Sequence, residues 1–244
     1  MSNSYELSSI HKDMSLYSDQ TKKSEKKLKK SIQLSIDSIK SKYPDIIIKQ
    51  EKKLYKSVIN EKVNKLNSQL GTYLSSQKSH IRPDGGLVYA SIDNGQTFHL
   101  ILVSEMKRQG TNDRNAKPQA MGNAIERSSK NYAEICLYMS NENYTPYVMF
   151  GEGCDFHENS SIIDRATSIT SGRPICKTYV KNENLSRNKS ATGGSVFLRK
   201  DAWSGKEMEN VLIDVMDQSI RVIQENDKKN KIGRWLKSKW NKGV

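Results

Sequence analysis

Two β-patterned runs in the middle of the chain are separated by Asn94-Gly95: residues 87–92 (Leu-Val-Tyr-Ala-Ser-Ile) and residues 97–103 (Thr-Phe-His-Leu-Ile-Leu-Val). Asn-Gly tolerates the positive φ angles of a tight turn, so the pair predicts a hairpin. The returning run is almost continuously apolar, which is the pattern of a strand covered on both faces. Helical stripes supply the cover: Leu28, Ile32, Ile36 and Ile39; Ile59, Val63, Leu66 and Leu70; Ile125, Ser128, Tyr132, Ile135 and Met139; Met208, Val211, Leu212, Val215, Ser219 and Val222. Tyr43-Pro44 closes the first helix, because proline biases its predecessor away from the helical region, and Gly71 is a stop for the second. Ile46-Ile47-Ile48 and Tyr147-Val148-Met149-Phe150 read as further strands. The expected fold is α/β, a central mixed β-sheet flanked by helices, in one domain spanning residues 21–225. Residues 1–20 carry no apolar period and are expected to form a polar arm. Residues 151–202 are weakly patterned and expected to be irregular. Residues 226–244 read as a basic tail, with seven Lys or Arg from position 228 onward, no acid, and Trp235 and Trp240 among them.

Charge narrows the partner. The 244 residues carry a net charge of +13 with a pI near 9.5, an excess that draws polyanions and speeds their encounter. Hydrophobic residues make up only 35%, which favours a polar-rich fold with long loops over a closed barrel. Cys136, Cys154 and Cys176 lack metal-ligand spacing, and an odd count suits a reducing compartment. His11, His80, His99 and His157 form no zinc pattern. No apolar run approaches the ~20 residues of a membrane span, and the polar start lacks a signal-peptide core. A cytoplasmic protein with no membrane partner is expected.

The hairpin carries acids at its two ends. Arg82-Pro83-Asp84-Gly85-Gly86 precedes it on a turn, and Ser104-Glu105-Met106-Lys107-Arg108-Gln109 follows it. With a side-chain period of two, Glu105 and Lys107 share one side of the sheet. Asp84 and Glu105 offer one oxygen each to a hard divalent ion such as Mg²⁺, with the backbone carbonyl of Met106 as a third donor. Phosphate and water complete such a shell, and Lys107 orients the water or neutralises the phosphate. This is the donor set of a metal-dependent phosphodiesterase, with a catalytic core at about residues 81–150.

Gly122-Asn123-Ala124-Ile125-Glu126-Arg127-Ser128 opens the third helix. Asn pairs bidentately with adenine, Glu accepts from amino groups, and Arg donates to purine N7. The same grammar also fits a helix cap at Asn123 answered by Glu126.

In four segments the chain resembles the EcoRI-type restriction endonucleases of the PD-(D/E)xK nuclease superfamily. They are Pro83 to Gly86, Glu105-Met106-Lys107, Gly122 to Ser128, and Pro146-Tyr147-Val148-Met149-Phe150-Gly151-Glu152-Gly153. Weaker similarity runs from about Tyr43 to Val222. The resemblance implies a restriction-endonuclease-like fold and Mg²⁺-dependent cleavage of double-stranded DNA by a homodimer, with a companion methyltransferase. It implies that Asp84, Glu105 and Lys107 are catalytic, and that Asn123, Ala124, Glu126 and Arg127 face the inner adenines of a palindrome centred on AATT. Recognition elements are expected at residues 108–130 and 151–176. Arg108 and Gln109 are expected at the root of a DNA-contacting loop. Asp164-Arg165 resembles a buttress of the recognition helices, with Arg165 pairing to Glu126 across the dimer. Ile162 stands where EcoRI-type enzymes carry a recognition arginine, so the outer base pairs differ: another flank, a degenerate flank, or AATT alone. Two rival readings share parts of this pattern. A repair or nicking nuclease would keep the acids and lysine without the 122–128 reader, and a non-catalytic DNA-binding protein would need neither metal nor Lys107.

Overall fold

The computed structural model describes residues 3–66, 78–110, 123–156, 161–181 and 193–240. Its elements in order are α1 (Asn3–Lys42), β1 (Ile47–Glu51), β2 (Leu54–Tyr55), α2 (Lys56–Leu66), β3 (His80–Ile81), β4 (Leu87–Ser91), β5 (His99–Arg108), α3 (Asn123–Tyr138), β6 (Tyr147–Glu152), α4 (Ser161–Thr170), β7 (Ser195–Arg199) and α5 (Gly205–Trp240). Five strands form the central sheet in the order β1-β4-β5-β6-β7, and β2 pairs β3 separately. The β1/β4 and β4/β5 pairs are antiparallel, while β5/β6 and β6/β7 are parallel. The expected mixed sheet flanked by helices is therefore the observed one.

β5 is the spine. Residues 100–106 are all buried, as the apolar run predicts for a strand with neighbours on both edges and helices on both faces. Its two faces have different covers. Glu105 meets Asn131 of α3, and Tyr147, level with Val103 on β6, reaches the Ser128 carbonyl of the same helix. On the other face Glu152 accepts Arg108 of β5 and Ser24 of α1, and Phe150 packs on Trp203 just before α5. The stripes read from sequence form these contacts: Leu28, Ile32, Ile36, Ile39, Ile59, Ile125, Ser128, Tyr132, Ile135, Met139, Met208, Leu212, Val215, Ser219 and Val222 are all buried. Leu66 and Leu70 fall outside the residues whose side chains are described, and Gly71 outside the described residues altogether.

Several segments differ from expectation. Residues 3–20 are regular, not unpatterned, in backbone: α1 is helical from Asn3 onward. Adding residues to an existing helix is far cheaper than nucleating one, so a segment with no apolar period of its own can continue the helix anchored by Leu28 to Ile39. Likewise α5 runs unbroken to Trp240, through most of the expected tail. The supposedly irregular stretch yields α4 and β7. Val196-Phe197-Leu198 is a buried parallel strand only five residues long with its neighbours, too short to show a period. The hairpin is real, but its loop is wider than two residues, since Ala90 pairs with His99. Asn94 and Gly95 do take positive φ. The Ser91 hydroxyl and Asp93 carboxylate accept the Gly95 and Thr97 amides and hold the wider loop. Among the described residues no helix is long and apolar enough to cross a membrane.

Candidate active site

β4 begins with Leu87, opposite Val103 of β5. Beyond that point the edge of β5 facing β4 is taken by the turn at residues 83–86. The Gly85 amide donates to the Ser104 carbonyl at 2.9 Å, and the Gly86 amide closes the turn on the Pro83 carbonyl at 3.0 Å. A Cβ on Gly85 would collide with the Ser104 hydroxyl and with Ile32, and Gly86 holds a φ of 77°, so both glycines are needed to press the turn against β5. The turn delivers Asp84 to the strand: its Oδ2 accepts the Met106 amide at 3.1 Å.

Four side chains meet there. Lys107 Nζ lies 2.6 Å from Asp84 Oδ2 and 2.7 Å from Glu105 Oε2. Asn131 Nδ2 donates to Glu105 Oε1 at 2.6 Å. The Glu105 side chain is 1% exposed, against 15% for Lys107 and 22% for Asp84. The group therefore opens outward at Asp84 and is closed beneath Glu105. A groove of about 660 Å³ reaches Asp84 from between α1 and the end of β1 and is bordered by Lys29, Lys52 and Arg82.

Burial pushes the Glu105 carboxyl up to about 7; the Lys107 ammonium opposes this and the Asp84 charge reinforces it. For Lys107, burial alone would lower the pKa, but the charges of Glu105 and Asp84 and the hydrogen bonds to them outweigh it, and the net direction is upward. The lysine therefore stays an ammonium at neutral pH, and the glutamate is the group poised to change charge.

The donors suit a hard divalent cation. The ammonium bridging Asp84 and Glu105 shows that two carboxylate oxygens converge on one cation-sized position. Met106 turns its amide toward Asp84, and a strand residue sends its carbonyl to the same edge as its amide, so a third oxygen lies beside them. Among the described residues no group of three or more His, Cys, Asp or Glu could hold a metal. Two acids and a carbonyl are instead the sparse set that leaves room for water and phosphate, as Mg²⁺ prefers.

The remaining residues singled out in the sequence divide into two groups. Asn123 and Ala124 begin α3, with side chains outside the described set, and Glu126 and Arg127 follow exposed on its first turns. Arg165 of α4 stands 3.6 Å from Glu126 within one chain, so this pair closes without a partner subunit. Arg108 and Gln109 do not extend toward solvent. Arg108 donates to Glu152 at 2.8 Å with 11% of its side chain exposed, and Gln109 is 2% exposed. The strand runs to Arg108, and β-alternation sends that side chain to the α1 face, away from Glu105 and Lys107. Asn131 was not singled out beforehand. Its signal was its place beside the apolar stripe of a helix facing the Glu105 strand, which tells nothing without the register of helix on sheet.

Residues 11–230 match the family model described as restriction endonuclease EcoRI. The chain is 31% identical to the type II restriction enzyme EcoRI of Escherichia coli over 223 residues, covering 76% of this chain and 80% of that one. It is 29% identical to the type II restriction enzyme RsrI of Cereibacter sphaeroides over 219 residues, covering 75% of this chain and 79% of that one. The chain belongs to the EcoRI restriction endonuclease family, and by that membership it is a DNA-cutting hydrolase.

Proposed function

We propose that the protein is a Mg²⁺-dependent type II restriction endonuclease, acting in the cytoplasm as a homodimer on a palindrome centred on AATT, beside a methyltransferase that protects the host site. The observation that carries this reading is the convergence of Asp84 and Glu105 on one cation position with Lys107 between them. Asp84, Glu105 and the Met106 carbonyl would hold the ion. When bound, Mg²⁺ supplies charge stabilisation at the phosphate and a more acidic water. Lys107 orients the attacking water or neutralises a phosphate oxygen. Water oxygen forms a bond to phosphorus and gives up a proton to solvent, the bond from phosphorus to the 3′ oxygen breaks, that oxygen takes up a proton from solvent, and the products carry 5′-phosphate and 3′-hydroxyl ends. Two copies related by a dyad would cut the two strands of a palindrome.

Asn123, Ala124, Glu126 and Arg127 are the proposed readers, with Arg165 supporting Glu126 at 3.6 Å. Arg108 and Gln109, turned inward, would have to be released to touch DNA, a change that cognate binding could drive. Plasmid digestion with and without Mg²⁺, followed by sequencing of the ends, tests the function. Discrete cuts with 5′ AATT overhangs are expected only with the ion, and scattered or structure-dependent nicks would overturn the restriction reading. Asn123→Ala should cost about 1–3 kcal/mol of discrimination between cognate and altered sites. An equal loss on every sequence would make Asn123 a helix cap only.

A further inference from the structure

A carboxylate shut off from water needs its orientation fixed before it can serve as a ligand, because the carboxyl torsion is broad and nearly two-fold. Glu105 has two fixed donors. Lys107 takes Oε2, sharing its ammonium with Asp84. Asn131 takes Oε1 at 2.6 Å. The amide can present only its N–H to this oxygen, since the opposite flip would set carbonyl oxygen against carboxylate. Lys107 sits on a flexible stem at the rim, whereas Asn131 is anchored by its helix. Tyr132, the next residue, packs edge-on to Tyr147 at 5.2 Å between ring centres. The Tyr147 hydroxyl donates to the Ser128 carbonyl at 3.2 Å, one turn before Asn131. These contacts pin α3 to β6, the strand beside Glu105.

We propose that Asn131 is a positioning residue: its amide turns Oε2 of Glu105 toward the cation position. This rests on the reading of Glu105 as a metal ligand. Without the amide, Oε1 would be a buried acceptor with no fixed donor, and the carboxyl would be free to rotate away from Asp84.

The test compares Asn131→Ala and Asn131→Leu with the wild-type full chain. Alanine and leucine are both better helix formers than asparagine, so α3 survives either change. Leucine keeps nearly the shape of asparagine and removes the donor without adding a charge. Mn²⁺ affinity is read on the protein alone from the ion's paramagnetic resonance signal, and DNA binding is measured without metal. With plasmid substrate, kcat and KM are determined separately. Both variants should bind Mn²⁺ roughly 10–100-fold more weakly, the usual scale for losing a residue that orients a ligand. In both, kcat should fall while KM and metal-free DNA affinity stay within about twofold, the roughly half-kcal level of an untouched surface. Unchanged Mn²⁺ affinity in both variants overturns the proposal, and so does a leucine variant that matches wild type. The ion titration needs no cleavage, so a wild-type protein that binds Mn²⁺ but leaves DNA intact would refute the nuclease function, while the Mn²⁺ affinities of the two variants still decide the role of Asn131.

Discussion

Glu105 and Glu152 are both shut off from solvent, on adjacent parallel strands, yet they sit on opposite faces of the sheet and have opposite surroundings. Glu152 is saturated. Its Oε1 accepts Ser24 Oγ at 2.5 Å and Arg108 at 2.8 Å, and its Oε2 accepts the Trp203 amide at 2.8 Å. These donors come from α1, β5 and the approach to α5, so one carboxylate ties three segments together. Glu105 has fewer fixed donors, and its cationic partner is shared with a second acid at an open rim. An acid enclosed by a guanidinium and a backbone amide is a joint. An acid whose cation can be replaced by another cation is a ligand. Burial alone does not separate the two; the exchangeability of the partner does.

The largest effect tests the joint. Glu152→Ala leaves Arg108 as a nearly buried charge without its carboxylate, a loss of about 3–5 kcal/mol of stability. Equilibrium unfolding in denaturant measures it. A change under about 1 kcal/mol, the level of an exposed pair, would mean that water reaches this cluster and that the contrast with Glu105 is false.

Glu105→Gln should do the reverse. Cleavage should drop by at least ~10²-fold, the scale of losing a metal ligand or acid–base group, while the unfolding midpoint holds or rises. Glutamine mimics the protonated acid that burial already favours, and Lys107 keeps Asp84 as its partner at 2.6 Å. Near-normal cutting would remove Glu105 from the mechanism. A stability loss as large as that of Glu152→Ala would make both acids structural.

This contrast shows what was legible from residue order. Glu105, Lys107 and Asp84 were visible because a hairpin signal at Asn94-Gly95 joined two short motifs and the β-period put Glu105 and Lys107 on one side. Alternation along β5 also puts Arg108 on the other face, but residue order does not show where the strand ends, and a polar run from Arg108 onward reads as loop. Glu152 and Asn131 depend on how β6 and α3 lie against β5, and no local pattern encodes that register. β7 is illegible for a related reason: five residues carry too little periodicity, and it is its parallel neighbour β6 that makes the segment a strand. The ends of the terminal helices are illegible because α1 and α5 propagate from their buried middles into residues with no stripe of their own.

A milder effect follows from protonation. The Glu105 carboxyl is pushed up to about 7 from an ordinary 4.5, chiefly by burial. A cation must displace that proton at lower pH, so the Mg²⁺ concentration for half-maximal cutting should rise by up to about tenfold for each pH unit below about 7 and level off above it. In the metal-free protein the sign for stability is opposite to that of a salt-bridged acid. The contribution of Glu105 is complete below 4.5 and is lost as pH climbs through about 7. Glu105→Gln should abolish both dependences; a metal requirement that stays flat through pH 7 in the wild type would place the carboxylate outside the ion's shell.

The smallest effect belongs to a third acid, Glu126, which completes the series from enclosed to exposed. Its pair with Arg165 spans 3.6 Å with side chains 70% and 42% exposed. Water and salt screen such a pair, so its coupling in a double-mutant cycle on stability should be under about 1 kcal/mol and should shrink further at high salt. If the pair has a role in DNA recognition, Glu126→Ala and Arg165→Ala will lower cognate binding by more than they lower stability, because the groups lose solvent only when DNA covers them. A stability coupling of several kcal/mol would instead place Glu126 with Glu152, as a joint between α3 and α4, and would remove the reason for assigning it to the bases.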